Sequence, residues 1–236
     1  MLSRLAYDLR GLHNLIATYT TTDPSREVIY RSLFLRELSF LAIADTFYPV
    51  GSAANHSLLY LVARAMRNFE FKNVVELGAG QTTLLIDQVM KSRTLSSKVQ
   101  TLEHDRFWAD SIQKQVAHPI ARTDLRPLRN PEYQGLAYDF SPVEVGPIDF
   151  LLVDGPPAYD KANRHARLGA LDLVERLGNE FVVVVDDAHR PGERTLVRLL
   201  KDVLRKRKIN FYIGEVRALK TQAVFATDQY AEVAFY

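Results

Sequence analysis

Five carboxylates in this chain sit at the ends of apolar runs. Glu76 closes on Val74-Val75, Glu103 on Val99-Gln100-Thr101-Leu102, Asp154 on Leu151-Leu152-Val153, and Asp186-Asp187 on Phe181-Val182-Val183-Val184-Val185. Short apolar runs bounded by polar and glycine residues read as buried strands. Ligands of open α/β sheets bind outside the carboxyl ends of such strands. Acids placed there have three uses. They can accept hydrogen bonds from a ribose diol or an ammonium, take a proton from a reacting hydroxyl, or bind a hard divalent cation through oxygen.

The stretch Val74-Val75-Glu76-Leu77-Gly78-Ala79-Gly80-Gln81-Thr82-Thr83 says most about the ligand. Its glycines allow a tight strand-to-helix turn that a ligand can approach closely. A dinucleotide fingerprint has a third glycine where this chain has Thr83, and there the pyrophosphate rests on the helix amides. Glu76 would repel a pyrophosphate but suits a ligand with a cationic amino-acid end. Glu103, 27 residues further on, is placed to take the two ribose hydroxyls of a nucleoside.

The elements that must position these groups alternate. Residues 1–48 read as helical, with Leu33, Phe34, Leu38, Leu41 and Ala42 on one face, and form a cap ahead of the nucleoside-binding core. Tyr48-Pro49-Val50-Gly51-Ser52 breaks that pattern, and the next helix carries Leu58, Leu59, Val62, Ala65, Met66 and Phe69 on one stripe. Strands are predicted over 73–77, 98–103, 120–126, 148–153, 181–185, 209–216 and 222–227. Helices are predicted over 82–91, 106–117, 159–177 and 193–207. Fully apolar strands imply a sheet covered on both faces, and the alternation implies a doubly wound parallel sheet. Between Glu215-Val216 and Ala223-Val224 too few residues remain for a parallel crossover, so the last strand must run antiparallel. The loop at Arg129–Gly135 is the expected mobile insert. The division is a cap over 1–50 and a ligand-binding domain over 51–236.

With these features in order, residues 45–227 resemble the class I S-adenosylmethionine-dependent methyltransferases. That resemblance implies a Rossmann-like α/β fold with a mostly parallel seven-stranded sheet. It implies that Glu76, Gly78, Ala79, Gly80, Thr82 and Thr83 hold the methionine end of S-adenosyl-L-methionine, that Glu103 with His104 holds the ribose, and that Asp124 lies near the adenine, although for Asp124 a solvated loop acid is an equal reading. His104 and Trp108 could pack along the adenine or ribose, a core position between helix and sheet being the commoner reading for Trp108. The segments Leu151–Pro157 and Val183–Glu193 are similar to a bacterial small-molecule or sugar O-methyltransferase group. Asp154, first after the fourth strand, would face both cofactor and acceptor. Asp154, Asp186 and Asp187 also resemble the magnesium ligands of catechol-type O-methyltransferases, so Mg or Mn is one expectation. The other is a metal-free site with His189, Asp154 or Asp187 as general base, the ordinary histidine pKa near 6.5 suiting neutral pH. Arg164, Arg167 and Arg190 are candidates for gripping an acidic acceptor, because guanidinium binds carboxylate and phosphate bidentately; surface arginines paired with helix acids are an equal reading for each. Asn55, His56 and Ser57 either close over the cofactor or cap the helix they precede. His13, His118 and His165 show no ligand spacing. Arg205-Lys206-Arg207-Lys208 reads as a solvated helix end whose cations offset the macrodipole.

Composition bounds the remaining classes. At 236 residues and 47% apolar, the chain can bury about 70% of its unfolded surface. The absence of cysteine excludes disulfides, thiolate metal sites and a cysteine nucleophile. A net charge of +2 gives no reason to expect nucleic acid. Met1–Asp8 carries charges where a signal peptide has an apolar core, and no apolar run approaches a membrane span, so the expectation is a cytoplasmic enzyme acting on a small-molecule or carbohydrate acceptor, with homo-oligomers left open. Two other classes stay in view, a nicotinamide-dependent oxidoreductase and a non-catalytic cofactor-binding partner protein.

Overall fold

The computed structural model describes residues 21–51 and 53–236, so most of the first half of the predicted cap, with His13, lies outside the described residues. Helix α1 (Glu27–Phe40) turns Tyr30, Phe34 and Leu38 inward. Residues 43–51 and 53–55 carry no helix or strand, and α2 (His56–Asn68) follows. There follow β1 (Asn73–Leu77), α3 (Gln81–Arg93), β2 (Lys98–Glu103), α4 (Arg106–Gln113), β3 (Ile120–Arg122), β4 (Leu125–Pro127), β5 (Leu136–Tyr138), β6 (Ile148–Val153), β7 (Leu177–Val185), α5 (Pro191–Lys206), β8 (Tyr212–Arg217) and β9 (Thr221–Ala226). Tighter 3-10 turns occupy Ala166–Arg176 and Asp228–Phe235.

Seven strands form one sheet in the order β3-β2-β1-β6-β7-β9-β8. All neighbours are parallel except β9, which is antiparallel to both β7 and β8. The chain winds outward from β1 in one direction and from β6 in the other, so the β1/β6 boundary is the switch point where a ligand crevice opens. This doubly wound sheet with one reversed inner strand is the Rossmann-like methyltransferase fold.

Strand alternation divides the core into two halves. Val74, Phe150, Leu152, Val182 and Val184 pack with α1, α2 and α3. Val75, Leu77, Leu151, Val153, Val183 and Val185 pack with the 166–176 turns and α5. The ends of the central strands are thereby fixed to within one residue, because a slip would turn every valine to the wrong face.

Three predicted elements differ. The strand over 120–126 splits at Thr123-Asp124, and its second half pairs with β5 in a separate hairpin, whose connection is the 128–135 loop. The helix over 159–177 is confined to 3-10 turns from Ala166, because Asp160 accepts from the backbone N–H of Asn163 (2.8 Å) and so offers that segment a local turn in place of a helix. The helix from Arg106 ends at Gln113, whose side chain instead accepts from the N–H of Ile120 (2.7 Å). No helix among the described residues is long and apolar enough to cross a membrane.

Candidate functional site

A cavity of about 580 Å³ opens at the switch point, walled by the turn after β1, the end of β2, the turn after β6, Tyr138 of β5 and the 48–54 segment. The two turns meet backbone to backbone. Gly78 has φ +97°, and a Cβ there would lie 3.1 Å from the nitrogen of Gly155; one on Gly155 would lie 2.8 Å from the Gly78 Cα. Gly80 differs, since a Cβ added to it meets nothing within 4 Å. Its backbone borders open cavity.

Glu76 lies beneath this turn and not on the cavity wall. Being on the Val74 side of β1, it faces α3, and the hydroxyls of Thr82 and Thr83 (2.7 Å) from that helix and of Thr101 (2.7 Å) from β2 all donate to it. Burial pushes its pKa up to about 7 against the pull of those hydroxyls. The expected contact of Glu76 with a ligand ammonium is therefore corrected to a role under the turn. Thr82 and Thr83 are likewise buried with their hydroxyls turned to Glu76, and Thr83 Oγ1 also accepts from the N–H of Gly80 (2.8 Å).

Glu103 does reach the wall. Its Oε1 accepts from the N–H groups of His104 (2.7 Å) and Asp105 (2.9 Å), and Oε2 from that of Ala79 (3.0 Å). With a single partner, Oε2 keeps a lone pair for a ligand hydroxyl. His104 stands beside it on the wall. Trp108 is not a core residue: it is 47% exposed, and its indole N–H donates to the carbonyl of Ala79 (2.6 Å), which lays the ring along the cavity. Asp124 is exposed, pairs with Arg126 (3.2 Å) and is absent from the wall, so its solvated reading holds. Tyr138 was not foreseen. Its buried hydroxyl has no hydrogen-bond partner among the described residues and lies where a Gly155 side chain would begin; burial, then the charge of Glu103, pushes its pKa well up. The one trace in the sequence is an apolar triplet, Leu136-Ala137-Tyr138, inside a polar loop.

Asp154 is on the wall, partly exposed, and Asp186 and Asp187 lie buried behind it. Each offers an oxygen within 4.8 Å of the others. Three cations of the chain are already among them. Arg167, predicted to face an acceptor, is buried: it donates to the carbonyl (2.7 Å) and Oδ1 (3.2 Å) of Asp154 and to the carbonyl of Asp186 (3.2 Å), and it pairs with Asp187 (3.2 Å) and Glu193 (3.6 Å). A guanidinium so engaged cannot grip a substrate. Arg190 lies 2.9 Å from Asp187. Lys220, unremarked in the sequence, brings its ammonium to Asp186 (3.3 Å), Asp187 (3.8 Å) and the carbonyl of Ala53 (3.0 Å). A lysine in a tight turn ordinarily reads as solvated, so nothing in the sequence marked it. The acid cluster therefore does not fit a divalent ion, because the charge such an ion would bring is already supplied.

These neighbours set the acids apart. Burial and the repulsion of Asp186 push Asp154 well above the carboxylate range, against Arg167 and Lys220. Burial also acts on Asp186, but Lys220, Arg167 and the Gln222 amide outweigh it and hold it below that range. Glu193 is raised by burial to about 7. His189 is not on the wall; burial lowers its pKa, and its Nδ1 faces the N–H of Thr221 (3.4 Å). That contact occupies the basic nitrogen of the neutral ring.

Arg164 and Arg190 border a second opening together with Tyr159, which also lines the main cavity. Arg190 stacks over the Tyr159 ring at 5.2 Å. Asn55 and Ser57 neither reach the cavity nor cap α2 through their side chains. Asn55 bonds Glu27 (2.8 Å), and Gln222 links Asn55 (3.1 Å), Ser57 (2.7 Å) and Asp186 (2.7 Å). The helix N-terminus is served by Glu27, which accepts from the N–H of His56 (2.7 Å).

No family model and no curated protein matches the chain. Among solved structures, an O-methyltransferase from Bacillus cereus in complex with SAH is similar at 12% identity and TM-score 0.47, over 84% of this chain and 91% of that one. An SAH-bound methyltransferase of Podospora anserina gives 10% and 0.49, over 83% and 88%. A methyltransferase from Geobacter sulfurreducens gives 15% and 0.46, over 96% of each chain. The strand order and the reversed β9 give this chain the fold of the class I methyltransferases.

Proposed function

We propose that the chain is an S-adenosylmethionine-dependent methyltransferase that methylates a hydroxyl of a small acidic or carbohydrate acceptor. The observation that carries this reading is that one cavity wall, at the switch point, combines the Gly78–Gly80 turn, the spare lone pair of Glu103 and the carboxyl of Asp154. S-adenosylmethionine, when bound, supplies an electrophilic methyl group on a sulfonium. Glu103 Oε2 would hold a ribose hydroxyl, the backbone at Gly78–Gly80 would receive the amino-acid end, and Trp108 would flank the base. Asp154, held by Arg167, takes the acceptor's proton. Its raised pKa makes it a stronger base than an ordinary carboxylate once ionised, and a placed base contributes about 10²–10⁴ in rate. Arg164 in the adjoining opening favours an acceptor bearing an acidic group. Thr83 in place of a third glycine, and the reversed β9, count against a nicotinamide cofactor.

Calorimetric titration with S-adenosylhomocysteine and with NAD tests the reading. Binding of the thioether is expected, and NAD binding without it overturns the proposal. Given a turned-over acceptor, Asp154→Ala is expected to abolish turnover while retaining S-adenosylhomocysteine binding; full activity in that variant removes Asp154 from the mechanism.

A further inference from the structure

The geometry points to Lys220 as the resident cation of the acid cluster: its ammonium takes the place between Asp186 and Asp187 that a divalent ion would take, and the protein needs no metal there. The lysine sits at the β8–β9 turn, buried, with Nζ 3.3 Å from Asp186 Oδ2 and 3.8 Å from Asp187 Oδ1. An ion bonded to both carboxylates at the usual ~2.0–2.6 Å would have to share these two oxygens with the ammonium of Lys220. It would also stand against Arg167, which is 3.2 Å from both Asp154 and Asp187. A dication set among fixed cations in a water-poor site is repelled by charges that the solvent screens little. Asp186 spends its remaining oxygen on the Gln222 amide (2.7 Å), which leaves it a poor ligand.

Lys220 is also a positioning residue. Its bond to the Ala53 carbonyl (3.0 Å) ties the 48–54 wall of the cavity to the strand ends.

The test is Mn²⁺ uptake by the metal-stripped full chain, followed by the electron paramagnetic resonance signal of free Mn²⁺. Wild type is expected to take up no stoichiometric Mn²⁺ at millimolar concentration, and Lys220→Arg to behave alike. Lys220→Ala, or Lys220→Met should the alanine variant not fold, is expected to gain one site, tighter than wild type by more than an order of magnitude and lost again on adding Asp186→Asn. Stoichiometric uptake by wild type that Asp186→Asn removes overturns the inference, as does the absence of any gain in both the alanine and methionine variants. S-adenosylhomocysteine calorimetry on the same proteins reports the proposed function separately, since Mn²⁺ uptake reads only the cluster.

Discussion

A fully buried carboxyl group holds its proton late even against three hydroxyl donors. Glu76 titrates near 7 in the folded chain against an ordinary 4.5, burial outweighing the threonines. The folded state thus binds this proton more tightly than the unfolded state. The stabilisation it gives is fully present below 4.5 and is lost as pH rises through about 7. Thermal midpoints are expected to fall between pH 5 and pH 8, and Glu76→Gln to flatten that slope; an unchanged slope in the variant shows that Glu76 is not its source. Glu193, also near 7, and Asp154, raised by burial and by Asp186, add to the same trend and to the slope that remains. At this scale the sequence located the acids, because an acid that follows an apolar run lies at a strand end. It did not tell Glu76, under the turn, from Glu103, on the wall. That depends on which face of the strand meets α3, and hence on the packing of Thr82, Thr83 and Thr101.

The turn after β1 carries two glycines with different duties. Gly78 is held at positive φ and against the backbone of Gly155, whereas Gly80 has an extended φ and open space beside it. Gly78→Ala is expected to cost about 1–3 kcal/mol of stability beyond any effect on ligand. Gly80→Ala is expected to leave the melting temperature nearly unchanged and to weaken S-adenosylhomocysteine binding by an order of magnitude or more. Calorimetry and thermal melts on both variants check the pair, and equal losses of stability contradict the distinction. Elements with strong period-2 or helical spacing were legible, as in β6, β7 and α5. The 159–165 turns and the β4–β5 hairpin were not, because side-chain-to-backbone bonds such as that of Asp160 override a helical pattern. The cap of α2 was equally hidden, since it comes from Glu27 in another helix.

At the scale of the molecule, the short link between β8 and β9 announced a reversed strand, and the apolar strands announced a sheet covered on both faces. What the sequence did not announce is where β9 goes. It enters between β7 and β8 and pairs with both, every one of its residues buried. It also brings Lys220 and Gln222, from its start, to the acids of β7. A chain ending at Arg217 is expected to lose its cooperative melt and its near-ultraviolet dichroism entirely; a folded product of that truncation contradicts the view of β9 as integral.

The placement of β9 also bears on biogenesis. Until β9 has emerged from the ribosome, the valine edge of β7 waits without its neighbour, and β8 has nothing to lie against. This half of the sheet can close only after β7 and β8 have both been made. A chain stalled before β9 thus presents a sticky open flank to chaperones or to its own copies, and the arrival of β9 seals it in a single late step.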